Sequence, residues 1–327
     1  MRRRAFLASV AAGGALVAAR APGAQAPRGT PRIGWLSPAS AVEDVSGLDA
    51  LRAGLREVGY AEGRNLVIEA RWGDGRTRRL PSLAEELARL PVDLMCTAGS
   101  QASGAAREAT ATIPIVFVNV AFPQESGLVA SYARPGGNVT GVAFMGPEYG
   151  KRLELLKEAN PRLARVALVY NPDNRGSVLA LEETQRWAAR LGVELEPRGF
   201  SGPSDFEPLF GAIAARRPDA LMTTADPLIA SYRGRFVDLA ARLRLPAMYP
   251  SRQFVDAGGL MFYGGSIPEM YRRAAVYVDR ILKGARPGEL RVEQPTKFDM
   301  VVNLRTAKAL GLTLPQSLLL RADEVLQ

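Results

Sequence analysis

Histidine is absent from all 327 residues, and cysteine occurs once, at Cys96. The first absence excludes a histidine general base, a Ser–His or Cys–His nucleophile and any His-ligated metal. A single cysteine excludes an internal disulfide and a thiolate metal cluster. Cys96 lies in the apolar run "DLMCTA" and is expected to be a small core residue. Lysine is also scarce, at five of the 42 basic residues, and the arginines stand singly among acids. Nucleic-acid surfaces gather their charge into patches, so no nucleic-acid partner is expected. Gly-x-Ser-x-Gly, Gly-Lys-Ser/Thr and metal-ligand spacings are all missing. No cofactor is expected and catalysis is disfavoured, although Asp173 and Asp226 remain a conceivable carboxylate pair for a hydrolase.

Hydrophobic residues make up 47% of the chain, which suits a globular protein of two ordinary domains. The formal charge of +9 is partly local. Four arginines and no acid fall within residues 1–26, leaving +5 beyond Ala26. That N-terminal stretch has a basic start, an Ala-rich run from Ala5 to Ala19 and the small-x-small triplet Ala24-Gln25-Ala26. Its layout is that of a signal peptide, and Arg3-Arg4-Ala5-Phe6-Leu7 fits the twin-arginine pattern. Pro27 directly after the triplet leaves the cleavage point open, and a periplasmic or otherwise exported protein is expected.

Beyond residue 30, β-rich runs alternate with amphipathic helical patterns, as in parallel sheets covered by helices. Strands are expected near Ile33, Leu66, Asp93 and Ile115, and again near Val166, Val193, Asp219 and Ala247. Each step is about one strand–helix unit, so two doubly wound α/β lobes follow. Leu48, Leu51, Leu55 and Val58 form one helical stripe ended by Gly59; Val178, Leu181, Trp187, Ala188 and Leu191 form another ended by Gly192. Ser204–Glu207 and Ser266–Glu269 each fit a capping box. The turn-rich stretch Ser131 to Phe144 is expected to cross between lobes. A strand "FDMVVN" after residue 295 implies two further crossings. The expected division is 31–122 with about 252–295 for the first lobe, and about 123–251 with 296–327 for the second.

Ligands of open α/β sheets bind beyond the carboxyl ends of the strands. The loops there hold Ser37, Thr97-Ala98-Gly99-Ser100-Gln101, Asn119-Val120-Ala121-Phe122, Asn171-Pro172-Asp173-Asn174, Thr223-Thr224-Ala225-Asp226 and Tyr249-Pro250-Ser251-Arg252. Short polar side chains dominate, as a small polar ligand would require. Helix-start N–H groups at Gly99-Ser100-Gln101, with the Thr97 and Ser100 hydroxyls, would favour a carboxylate. Asp226 in the matching loop would favour an ammonium group. Together they describe an amino-acid zwitterion, against the plainer role of these residues as helix caps. On the zwitterion reading, alanine at 226 abolishes amino-acid binding and spares the fold. Aromatic residues near the loops include Trp35, Phe122, Tyr249, Phe254 and Tyr263.

The segments "PRIGWLSPAS", "GLREVGYAEGRNLVIEARW", "IPIVFV", "LVASYARPGGNVTGV", "KRLELLKE", "GGLMFYG" and "YRRAAVYVDRILKGARPGELRVEQPTKFDMVVNLRTAKALGLTLPQSLLLRADEV" resemble ABC-transporter substrate-binding proteins of the tryptophan/tyrosine-binding type. The resemblance spans residues 31–327. It implies the type I periplasmic-binding-protein fold, two Rossmann-like lobes joined by three segments, and a small ligand, such as an amino acid, delivered to an ABC permease. It also implies no catalysis, and a monomer is expected. Presentation of ligand to a membrane sensor is the alternative of the same chemistry. By the resemblance, the carboxylate role falls to Thr97, Ser100 and Gln101 and the amino-group role to Asp226 with Asn171. Ser37, Asn119, Tyr249 and Tyr263 complete the expected lining. Where relatives carry Gly-Asp-Pro after the fourth strand, this chain has Asn119 to Pro123, so Phe122 is expected to narrow the cleft or stack on the ligand.

Overall fold

The computed structural model describes residues 29–42, 45–144 and 148–327. The expected signal peptide lies outside them. The first sheet is all parallel, in the order β2-β1-β3-β4-β5. Its strands are β1 (Arg32–Ser37), β2 (Val67–Trp72), β3 (Leu94–Ala98), β4 (Ile115–Ala121) and β5 (Val139–Phe144). The helices α1 (Val45–Glu57), α2 (Leu80–Arg89) and α3 (Gly99–Ala109) alternate with the first four strands. Period-two alternation sends Ile33 and Trp35 to one face of β1 and Leu36 to the other. Ile33 and Trp35 pack with Leu48, Leu51 and Leu55 of α1. Leu36 joins Leu83 and Leu87 of α2 and Ala102 and Ala106 of α3. Cys96 is fully buried, and burial pushes its thiol up to about 12.

The second sheet has the order β12-β11-β10-β9-β8-β6-β7, and only the β10–β11 pair is antiparallel. Its units run α4 (Glu148–Ala159), β6 (Arg165–Tyr170), α5 (Arg175–Leu191), β7 (Glu194–Gly199), α6 (Phe206–Arg216) and β8 (Ala220–Thr223). They continue through α7 (Pro227–Ser231), α8 (Arg233–Arg242), β9 (Ala247–Tyr249), α9 (Arg252–Asp256) and β10 (Met261–Gly264). The chain then returns to the first sheet with α10 (Ile267–Leu282). Gly54 of α1 permits its close approach, since a Cβ there would stand 2.6 Å from the Arg272 carbonyl oxygen. Thr140 Oγ1 donates to the Leu290 carbonyl at 2.6 Å, and Glu293 pairs with Val142 beyond β5. The chain finally re-enters the second sheet through β11 (Asp299–Asn303), α11 (Leu304–Leu310), α12 (Gln316–Leu319) and β12 (Glu324–Leu326).

Three passes therefore connect two doubly wound lobes. By sheet membership, the first lobe holds residues 32–144 with 267–295, and the second holds 148–264 with 299–327. Two of the three internal boundaries differ from the sequence expectation, and the one near residue 295 agrees with it. Residues 139–144 form the fifth strand of the first sheet rather than a crossover, because their backbone pairs in parallel with β4 from Ile115 to Ala121 and their side chains are buried. Likewise α9 and β10 stay with the second lobe, β10 pairing with β9. The expected box at Ser204 is not formed: Ser204 lies in a 3-10 turn, and Asp205 stands at the helix start without a side-chain cap. At α10 the Ser266 hydroxyl does accept from the Glu269 N–H. No helix among the described residues is long and apolar enough to cross a membrane.

Candidate functional site: a cavity between the two lobes

The carboxyl ends of both sheets face each other across a seam that is closed. A Cβ on Gly99 of α3 would stand 2.8 Å from the Pro227 ring of the opposite lobe. One on Gly176 of α5 would stand 2.7 Å from Ser100 Oγ. Gln101 Nε2 donates to the Asp173 carbonyl at 3.2 Å, and Gln253 Nε2 to Ser46 Oγ at 3.1 Å. Behind this seam lies a cavity of about 90 Å³. The first lobe lines it with Ser37, Ala39, Ser46, Ala98, Asn119 and Tyr271; the second with Asp226, Arg233, Ser251, Gln253 and Phe254.

Asn119 reaches the cavity through a backbone irregularity. The register of β4 against β5 shifts between Val118 and Val120, and Asn119 takes a left-handed φ of 59°. Bulges of this kind re-aim a side chain at the end of a strand, and asparagine tolerates the left-handed region better than most residues. Its Oδ1 is buried and has no hydrogen-bond partner. From the opposite lobe, Ser251 Oγ is buried and unpartnered as well. Unsatisfied buried polar atoms are costly, so a pair of them on one cavity marks the place of a polar guest.

Asp226 also lines the cavity, but its carboxylate is already engaged. Oδ1 accepts from Leu228 N (2.8 Å) and Ile229 N (3.1 Å), capping α7. Oδ2 accepts from Asn174 Nδ2 (2.7 Å) and Asn171 Nδ2 (3.1 Å). Burial holds its pKa above the ordinary carboxylate value, with these four donors opposing the shift. Asn171 is fully buried; its amide serves Asp226 and its Oδ1 accepts from Asp173 N.

Of the ten expected ligand residues, Ser37, Asn119 and Asp226 line the cavity. The others are placed elsewhere for identifiable reasons. The Thr97 hydroxyl is paired with Ser103 Oγ at 2.8 Å, and Ser103 donates in turn to the Gly99 carbonyl. Ser100 and Gln101 line a separate outer groove with Asp173, because Pro227 covers the start of α3. Phe122 turns away in a left-handed conformation and stacks on Tyr149, ring centres 6.4 Å apart. Tyr249 stacks on Phe254 at 4.6 Å inside the second lobe, and Tyr263 on Phe298 at 6.0 Å. Asp173 and Asp226 do not form a pair, since one faces the groove and the other the cavity. Among the described residues, no cluster of acids and cysteine is placed to hold a metal ion.

Sequence reasoning did not select Ser251, Gln253, Arg233 or Tyr271 as ligand residues. Ser251 and Phe254 lie in or just after the strand-end loop Tyr249–Arg252, so their position in the sequence does signal them. Tyr271 lies on an ordinary buried stripe of α10 with Ala274, Ala275 and Val278, its ring 5.7 Å from that of Trp35. Nothing in its spacing separates it from core. Close to the passes between lobes, a second buried polar group stands apart from the cavity. Arg152 and Glu148 of α4 form a buried ion pair at 2.5 Å, and Arg152 Nε donates to the Tyr263 carbonyl. Burial outweighs Arg152 and pushes Glu148 up to about 7.

The sequence profile of the family described as ABC transporter substrate binding protein matches residues 36–326. A tyrosine-binding protein of Clostridioides difficile (strain R20291) is 26% identical over 258 residues, spanning 79% of this chain and 74% of that protein. The crystal structure of a conserved domain protein from Vibrio cholerae superposes with a TM-score of 0.86 at 28% identity, covering 90% of this chain and 99% of that one. An ABC domain from Streptococcus pneumonia, in complex with L-Trp, gives a TM-score of 0.85 at 24% identity, covering 91% and 100%. The two-lobed architecture is accordingly that of the type I periplasmic binding proteins. With two opposed sheets, three passes and nearly the whole folded chain matched, the protein belongs to the ABC transporter substrate-binding protein family.

Proposed function

We propose that the protein is exported, captures an amino acid between its lobes as a monomer, and delivers it to an ABC permease. One observation carries the ligand reading: the opposite lobes bring two unpartnered polar atoms, Asn119 Oδ1 and Ser251 Oγ, to one cavity. A guest that satisfies both gains contacts only when the lobes are closed. The named ligands of the relatives, tyrosine and L-Trp, support the amino-acid class. The side chain is a separate matter. A cavity of about 90 Å³ is smaller than the roughly 150 Å³ that accepts a benzene ring. An aromatic side chain therefore requires the lobes to stand farther apart than they do here.

Export rests on Arg3-Arg4 and the apolar run behind them. Changing both arginines to lysine is expected to retain the protein in the cytoplasm; secretion at the wild-type level would point to the general export route instead. For the ligand, native mass spectrometry of protein purified without unfolding is expected to show a mass excess that denaturation removes. Titration calorimetry of ligand-depleted protein with the twenty L-amino acids then identifies the guest. Absence of binding by every amino acid would overturn the reading.

A further inference from the structure

We propose that Arg233 anchors the ligand's carboxylate, so that the ligand lies with its acid end on the second lobe and its amino end at Asn119 on the first. This inference rests on the amino-acid reading above and fixes the polarity of the site, opposite to that expected from the loop sequences.

Three observations support it. Among the described residues, Arg233 is the one cation that lines the cavity. It stands at the start of α8 and is half-buried, and its Nη1 donates to the Ala230 carbonyl at 3.2 Å. That bond fixes the head and leaves most of the guanidinium's five N–H donors available. No acid among the described residues forms an ion pair with it. Asp226, the acid on the same cavity, already has its oxygens taken by four donors. A cation lining a cavity with no ion-pair partner among the described residues is matched by a carboxylate, which the guanidinium fork can bind in bidentate fashion.

On the first lobe, the cavity has the complementary deficit. Asn119 Oδ1 can only accept, and it has no donor. An ammonium group supplies one, and Ser251 Oγ, on the second lobe, is a second unpartnered acceptor on the same cavity. The alternative carboxylate site, the first turn of α3, is occupied from the opposite lobe. Pro227 packs on Gly99, while Gln101 is tied to the Asp173 carbonyl and faces the outer groove.

The test compares ligands that differ only at the acid end, in wild type and in Arg233→Met. The amino acid bound most tightly in the calorimetric panel is measured against its own carboxamide. Wild type is expected to prefer the acid by about 10–100-fold, the range of a charge-assisted pair. In Arg233→Met the preference should fall to about one, with the ligand-free melting temperature retained. A preference that survives the substitution overturns the anchor, and so does a wild type that binds acid and amide alike. Should Arg233→Met not fold, Arg233→Lys, which keeps the charge and loses the fork, is expected to retain only part of the preference; full retention counts against the proposal. If no amino acid binds wild type, the amino-acid reading fails separately, and acetate, propionate, lactate and pyruvate become the probes. One that binds wild type and not the variant sustains the anchor; binding by none removes it.

Discussion

Alanine at position 226 tests whether a carboxylate that lines a ligand cavity serves the ligand or the fold. Four donors converge on it: two backbone N–H groups at the start of α7 and the side-chain amides of Asn171 and Asn174. Losing the cap costs about 1 kcal/mol. Each of the two amides would keep a buried N–H without an acceptor, at about 1–3 kcal/mol apiece. The expected destabilisation is therefore about 3–7 kcal/mol, a large share of the roughly 5–15 kcal/mol that ordinarily holds a native protein. Urea unfolding of ligand-free protein measures it directly. Asp226→Asn offers a graded comparison. Its single carbonyl oxygen can serve the helix cap or the two asparagines but not both, so about half the loss is expected. A ligand-free stability within about 1 kcal/mol of wild type in Asp226→Ala, combined with abolished binding, would refute the structural role and restore the ammonium contact expected from sequence.

Further outcomes probe the seam, the passes between lobes and the core. Gly176→Val crowds Ser100 Oγ, 2.7 Å from an added Cβ, and the Ala121 carbonyl oxygen, 3.3 Å from it, so closure should be hindered. Small-angle scattering with the calorimetrically identified ligand at saturation should then give a larger radius than wild type; equal compaction would count against the closed seam. Glu148 holds a proton in the native state up to about pH 7, whereas an ordinary glutamate releases it near 4.5. The native chain thus binds more protons in that window, and stability should fall as pH rises from about 4.5 to 7, by at most about 3 kcal/mol. Glu148→Gln should remove that slope, and an unchanged slope would place its origin elsewhere. Cys96, buried with its thiol raised to about 12, should resist disulfide reagents until the protein unfolds; prompt labelling of native protein would contradict its burial.

The strands carried by apolar runs were legible because period and length agree, from Ile33 through Ala247. The fifth strand of the first sheet was not. Thr140 and Gly141 interrupt its apolar pattern, and the turn residues Arg134 to Gly137 just before it favoured a loop. Its identity comes from pairing with β4, a tertiary fact. Site residues divide along the same line. Asp226 followed by Pro227 is a local helix-start signature, and the structure shows that cap. The Thr97 hydroxyl finds Ser103 six residues on, across a strand-to-helix turn, which no local rule foretells. Asn119 depends on a register shift between two strands, and Arg233 on the placement of one lobe against the other. Loop composition names the polar side chains near a sheet's edge; the backbone decides which of them face the ligand.

The energetics of closure follow from what crosses the seam. Among the described residues it is crossed by two neutral hydrogen bonds, from Gln101 to Asp173 and from Gln253 to Ser46, by Gly99 against the Pro227 ring and Gly176 against Ser100, and by the stack of Phe122 on Tyr149. Neutral bonds exchanged against water contribute about 0.5–1.5 kcal/mol each. That sum is small beside the roughly 5.5 kcal/mol needed to carry a population from mostly open to mostly closed. Arg233, Asn119 and Ser251 supply the difference only when a charged guest reaches all three, because the first lies with Ser251 on one lobe and Asn119 lies on the other. A guest lacking its carboxylate or its amino group would occupy one lobe and leave the equilibrium nearly where it stood. Recognition and closure are thus the same contacts, and a permease that reads the closed shape reads the ligand's two charged ends through it.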